Sequence, residues 1–241
     1  MASLNEIVFS ILDAVRHGRG TNNEYIDERL IEYYVKQYRA LLIRRDTDRL
    51  GDLGASSRLL EFEQTLPEVK FQILEEYEIG ALGSPMANNP VLRTSSALPT
   101  LVRLKNYPAL TFVGPTDLHK NYTLVSYHAL NWKMRFSKYT WNQPYSFLLQ
   151  NFLYIANPDD TGGYFDSANY HLYTVRGIFE DPLAAAAFGG IDLTRDSEYP
   201  VPIDFAQRVA QSIMSGEMSV LLNSPNDTIL NTLPDESNST S

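Results

Sequence analysis

Glu24-Tyr-Ile-Asp-Glu-Arg-Leu-Ile-Glu-Tyr-Tyr-Val-Lys-Gln-Tyr-Arg-Ala-Leu-Leu-Ile-Arg-Arg45 is the longest segment of the 241-residue chain with an unbroken helical pattern. Ile26, Leu30, Tyr34, Leu41 and Leu42, flanked by Ile31, Val35 and Tyr38, recur at spacings of three and four, which predicts a helix with a broad apolar face. Such a face has to be covered, so the fold follows from what packs on it. Nothing in the segment itself carries catalytic chemistry.

A partner precedes it. Ser3-Leu-Asn-Glu6 is a capping-box sequence, and Leu4, Ile7, Val8, Ile11, Leu12 and Val15 share one face of the helix it starts, with Gly18 as a C-terminal stop. The short Gly-Arg-Gly-Thr-Asn-Asn linker predicts an antiparallel helical hairpin that leaves the Tyr33, Tyr34 and Tyr38 side open for a third helix. After Arg45 the turn-rich Asp46-Thr-Asp-Arg-Leu-Gly-Asp-Leu-Gly54 predicts an exit from the helix. Short strands are expected at Leu60–Glu63, Val69–Leu74, Leu101–Leu104 and Leu110–Val113, with a loop at Gly80–Pro90. Ala129–Phe136 alternates Leu130, Trp132, Met134 and Phe136 with polar residues and is expected to be a half-buried strand. Phe147–Ala156 and Tyr170–Phe179 complete an antiparallel region, joined by the turn residues Asn157-Pro-Asp-Asp-Thr-Gly-Gly163 as a hairpin. Asp181-Pro182 opens a short alanine-rich helix, and an acidic loop follows at Asp192–Tyr199. Pro200 and Pro202 lead into a last helix with Asp204 in its first turn and Phe205, Val209 and Ile213 on one stripe.

The expected class is therefore α+β. Residues 1–57 and 180–222 form the two parts of one helical bundle, 58–179 an inserted antiparallel β-rich domain, and 223–241 an extended C-terminal tail with little to bury.

Composition narrows function. There is no cysteine, which excludes disulfides, thiolate metal sites and a cysteine nucleophile and suits a reducing compartment. No apolar run approaches the roughly 18 residues of a membrane helix, so no membrane is expected among the partners. The net charge of −9 is unevenly placed. Residues 1–50 hold 8 basic and 8 acidic side chains, 51–178 hold 10 and 11, and 179–241 hold 2 and 10. An acidic surface repels phosphate backbones, which disfavours a groove-reading nucleic-acid binder but suits a wall that DNA slides past.

The expected catalytic, cofactor and metal sites are none. His17, His119, His128 and His171 lack ligand spacing, Gly-x-Ser-x-Gly is absent, and Gly18-x-Gly20 follows a helix and has no lysine. Asp159-Asp-Thr-Gly-Gly with Asp166 lacks the alternating ligands of a calcium loop, and a solvated turn explains it better. Arg39, Arg44 and Arg45, with Arg49, are the one basic concentration, offset by Asp46 and Asp48; the first three are the candidate DNA-proximal residues. Tyr33, Tyr34 and Tyr38 are the candidate interface with other subunits or a portal, because tyrosine offers a large apolar body and a polar tip.

Several elements resemble virion structural proteins of short-tailed double-stranded DNA bacteriophages, especially the crAss-like phages. They are Asn23 with Ile26, Tyr38-Arg-Ala-Leu-Leu-Ile-Arg44, Gly51-Asp-Leu-Gly54, Thr111-Phe-Val-Gly-Pro-Thr-Asp117, Val175-Arg-Gly-Ile-Phe-Glu-Asp-Pro182 and Glu198-Tyr-Pro-Val-Pro202. The chain departs from many relatives in having no cysteines after Gly51-Asp-Leu-Gly54. The resemblance implies a ring or adaptor protein of the head-to-tail connector, stacked under the portal around the genome channel. It also implies self-association, twelve-fold by family resemblance, neighbouring neck rings as partners, DNA passing without sequence-specific binding, and assembly in the host cytoplasm into the virion neck. On this reading the acidic segment 192–204 is expected to face the channel. The alternatives are a tail or baseplate protein with a receptor-binding β domain, and an enzyme of unknown class.

Overall fold

The computed structural model describes residues 2–18, 27–74, 91–105, 107–136, 143–157, 164–165 and 171–219. The linker at 19–26, the loop at 80–90, the turn at 158–163 and the tail at 223–241 lie outside the described residues.

Helix α1 (Leu4–Gly18) begins with the expected capping box. The Glu6 amide donates to Ser3 Oγ at 3.1 Å and the Ser3 amide to Glu6 Oε2 at 2.9 Å. All six residues of its stripe are buried. Helix α2 (Glu28–Leu59) does not end at Arg45 as expected but continues for 32 residues in all. Two of the residues that suggested a turn, Asp46 and Thr47, are satisfied inside helical geometry. Thr47 Oγ1 donates to Ile43 O at 2.7 Å, and Asp46 accepts both guanidinium nitrogens of Arg208 at 2.7 and 2.9 Å. Gly51 and Gly54 each cost a helix only about 1 kcal/mol, which such contacts offset. The buried seam of α2 also differs from the expected one. It runs through Ile31, Val35, Arg39, Leu42 and Ile43, whereas Leu41 is 51% exposed.

Leu60–Phe62, expected to open a strand, is a 3-10 turn that carries the Phe62 ring onto Phe205, with centroids 4.7 Å apart. The strands are β1 (Gln64–Ile73), β2 (Val91–Thr94), β3 (Leu110–Pro115), β4 (Thr123–Leu124), β5 (Tyr145–Leu149), β6 (Phe152–Ala156), β7 (Tyr164–Phe165) and β8 (His171–Gly177). They form one sheet in the order β3-β8-β1-β2-β6-β5-β4, with β7 also on β8. Pairing is antiparallel except between β4 and β5. The path ends, β3 and β4, approach each other: the Tyr122 amide donates to Val113 O at 2.7 Å, so the sheet is nearly closed. Pro67 sits where the β1–β8 register shifts between Leu66 and Val69, a bulge that tolerates its missing donor.

Four expectations for this region are corrected. Ala129–Phe136 is helical, within α3 (Tyr127–Phe136), and its two-residue alternation is misleading. Ser126 Oγ accepts from the Ala129 amide at 3.3 Å, and the segment is rich in helix formers. Leu130 is buried against the sheet while Trp132, about 200° further round the helix, is 66% exposed. Phe147–Ala156 is two strands, because Gln150 and Asn151 both take positive φ (50° and 63°), the geometry of a type I′ hairpin turn. The expected pairing of Phe147–Ala156 with Tyr170–Phe179 is absent: β6 lies between β2 and β5, and β8 between β1 and β3. Leu101–Leu104 makes only isolated bridges, Leu101 to Phe179 and Arg103 to Pro108.

The inside of the curled sheet is filled by Phe71, Val113, Tyr122, Ile155, Tyr173 and Val175, with Tyr173 edge-on to Phe71 at 5.1 Å. Its other face packs Tyr145, Phe147 and Tyr154 beneath Leu130 of α3. Helix α4 (Pro182–Phe188) is capped by Asp181, whose Oδ1 accepts from the Leu183 and Ala184 amides at 3.0 and 3.4 Å. Helix α5 (Ile203–Ile213) buries Phe205, Val209 and Ile213 as expected and runs on as a π-helical segment, Met214–Met218. Helices α1, α2 and α5 share one apolar cluster with Phe62, Val102, Leu104, Ala109, Ile178 and Tyr199. The protein is thus α+β, with helical and sheet layers joined along α2.

Candidate functional site

The join is made by a charged residue. Arg39 has no exposed surface, and its guanidinium donates to Phe179 O at 2.7 Å and reaches Phe62 O and Pro200 O at 3.5 Å. It lies 6.0 Å from the Phe62 ring centroid and 5.8 Å from that of Tyr199. One side chain of α2 therefore holds the turn after α2, the end of β8 and the approach to α5. Burial lowers its pKa from the ordinary arginine value. Burial also pushes the Tyr199 hydroxyl up to about 12, with Arg39 partly opposing. Expected at the surface near DNA, Arg39 is instead a core group, because the i, i+4 seam of α2 passes through it. Arg44 and Arg45 are exposed.

The tyrosines divide. Tyr38 is half-buried and donates to Glu217 Oε1 at 3.3 Å; burial first, then the Glu217 charge, raises its pKa. A Cβ on Gly216 would stand 2.7 Å from the Tyr38 hydroxyl, so this contact requires glycine or a displaced ring. Tyr34 packs against the helical cluster. Tyr33 is 60% exposed, tilted against Tyr34 with ring centroids 5.8 Å apart.

Tyr33, Gln37, Leu41 and Arg44 follow one another at spacings of four, four and three, so they line one outward stripe of α2. Beside it is an open groove of about 550 Å³, bounded across from α2 by Val102, Arg103, Glu180 and Asp181. Its floor is tied down by charge. Lys36 Nζ lies 2.8 Å from Asp181 Oδ2 and 3.0 Å from Glu32 Oε1, and Glu32 Oε2 lies 2.7 Å from Arg195. Burial opposes the Lys36 charge, but the hydrogen bonds to Asp181 and Glu32 outweigh it and raise its pKa. Arg44 and Arg103 stand at the groove without an ion-pair partner among the described residues. Arg103 also borders a second depression of about 460 Å³ with Lys105, Tyr107 and Tyr127.

Sequence reasoning found Tyr33 and Arg44 and missed Leu41 and Arg103 as surface residues. For Arg103 a signal existed: it lies between Val102 and Leu104, both buried, so alternation turns it outward. The acidic segment is moored to the start of α1. Asn5 Nδ2 donates to Asp196 Oδ1 at 2.5 Å, the Asn5 amide to Arg195 O at 3.2 Å, and the Tyr199 amide to Ala2 O at 3.1 Å. Asp192, Asp196, Glu198 and Asp204 remain exposed. Among the described residues no group of three or more His, Asp or Glu side chains could hold a metal ion, and no helix is long and apolar enough to cross a membrane.

A protein-family comparison matches residues 6–236 to the crAss ring 2 family, described as phage tail ring protein 2. No curated protein matches the chain.

Proposed function

Since the chain belongs to the phage tail ring protein 2 family of crAss-like phages, a virion structural family, we propose that its copies close into a ring of the head-to-tail connector, below the portal and around the DNA channel. The observation that carries this reading is the outward Tyr33–Leu41 stripe. Large apolar side chains are left exposed beside a groove on a helix whose opposite seam is packed, which suits a contact between subunits. The helical bundle of the two terminal segments makes the ring body and the portal contacts, and the resemblance implies twelve copies in the ring. Tyr34 and Tyr38 support the interface from behind through the cluster and Glu217.

The exposed acids of 192–204 face the channel, where like charge keeps DNA from adhering as it passes. Arg44 and Arg45 are the candidate cations for contact with the passing DNA, and such contacts are weak and independent of sequence. The test is direct. The purified chain, alone and with portal, is expected to give rings by negative-stain microscopy and native mass spectrometry, and Tyr33→Asp with Leu41→Asp is expected to give folded monomers. A chain that stays monomeric with portal present, or rings indifferent to the double substitution, would overturn the reading.

A further inference from the structure

We propose that the groove beside α2 receives the C-terminal segment Asp227-Thr-Ile-Leu-Asn-Thr-Leu-Pro-Asp-Glu236 of a neighbouring copy. This deepens the ring reading and rests on it. The groove offers apolar contact from Tyr33 and Leu41 beside the buried Val102, with the guanidinium groups of Arg44 and Arg103 at hand. The segment has the matching order: Ile229, Leu230 and Leu233 form an apolar centre, with Asp227 before it and Asp235 and Glu236 after it. Residues 220–241 contain no lysine or arginine. Among the described residues Glu180 is the one opposing charge at the groove that is not already engaged, since Asp181 holds Lys36 and caps α4.

The described chain stops at Ser219, beside α2, because α5 runs antiparallel to that helix, with Arg208 at Asp46 and Glu217 at Tyr38. From Ser219 to residue 227 an extended chain spans about 26 Å. That exceeds the roughly 10–12 Å diameter of a helix, so the segment is long enough to pass its own α2 toward an adjacent subunit. The family match continues beyond Ser219 to residue 236 and so spans the segment. Tethered exchange of this kind links each subunit to the next at high effective concentration and favours ring closure.

The absence of cysteine makes the test clean. Full-length Gln37→Cys and full-length Thr232→Cys chains are mixed, their assembly is checked by microscopy, and they are then oxidised mildly. A disulfide-linked dimer of chains is expected on non-reducing gels. Adding Asp235→Lys and Glu236→Lys to the Thr232→Cys chain should lower its yield about fivefold, the loss expected for two exposed ion pairs, and Arg103→Glu should restore part of it. Rings that form with no cross-link overturn the docking and leave the ring reading standing. A bond formed only within one chain carrying both cysteines places the segment in its own groove and also overturns it. Monomers throughout refute the ring reading, and neighbour docking with it.

Discussion

Replacing Arg39 separates its role as a core group from any role at the surface. In Arg39→Ala the charge-assisted bond to Phe179 O, 2.7 Å long, disappears, a loss of about 1.5–3 kcal/mol. The stem and guanidinium packed against Phe62 and Tyr199 leave a cavity, for which large-to-small core changes give about 2–5 kcal/mol. Against these stands the cost of burying a guanidinium with no directly bonded carboxylate, several kcal/mol, which the substitution removes. The balance is a destabilisation of about 3 kcal/mol, or a fall in Tm of about 6–12 °C for a chain of this size. Arg39→Met keeps most of the volume, so loss of the bond and relief of desolvation nearly cancel and Tm is expected to stay within about 4 °C. Thermal unfolding followed by circular dichroism measures both. A Tm for Arg39→Ala within about 2 °C of the parent would refute the core assignment, since only solvent-exposed residues are so indifferent. Equal falls for Ala and Met would show that the hydrogen bonds, not the packing, hold the junction.

Stability should decline from about pH 10 to pH 12. The Tyr199 hydroxyl titrates near 10 in the unfolded chain but is pushed up to about 12 in the fold, so the unfolded state releases its proton first and gains. Two pH units correspond to about 2–3 kcal/mol, and Tyr199→Phe should flatten the decline in urea midpoints; an unchanged slope would count against it. Lys36 acts in the same direction: its pKa is raised, so its stabilisation is complete below the ordinary lysine value and is lost as pH rises through the folded one. Gly114→Ala would drive a Cβ into Lys120 O and to 2.7 Å from the Phe112 ring, where the sheet nearly closes. A loss of about 3 kcal/mol in chemical denaturation is expected, and a neutral effect would mean that the closure is loose. Asp46→Asn, which leaves the bidentate partner of Arg208 neutral, should cost about 1 kcal/mol in the same assay, and no change would show that the pair is dispensable.

Much of the helical part was legible because its signals are local. The Ser3–Glu6 box and the Leu4–Val15 stripe depend only on neighbours along the chain, and the Phe205–Ile213 stripe is as plain. The far half of α2 was hidden because its polar residues are satisfied from a distance, by Arg208 lying 162 positions away from Asp46. Ala129–Phe136 misled for the opposite reason: a two-residue alternation is also compatible with a helix, in which Leu130 is buried beside Tyr127 while Trp132 faces out. The Gln150-Asn151 turn went unseen because a continuous apolar run masked two residues that accept positive φ. Strand order could not be read at all, since β1 pairs with β8 across about a hundred residues and nothing local records it. At the candidate site, Tyr33 and Arg44 were visible as surface chemistry. The meeting of Arg44 with Arg103 required the fold, and Arg39 looked like its exposed neighbours because sequence shows a charge and not the three carbonyls around it.

A reconstruction of the virion neck tests the central proposal most directly. The proposal expects this chain as a closed ring beneath the portal, with the Tyr33–Leu41 stripe of each copy against its neighbour and residues 192–204 toward the channel. Density for the chain as isolated copies, or as a peripheral appendage away from the channel, would contradict it.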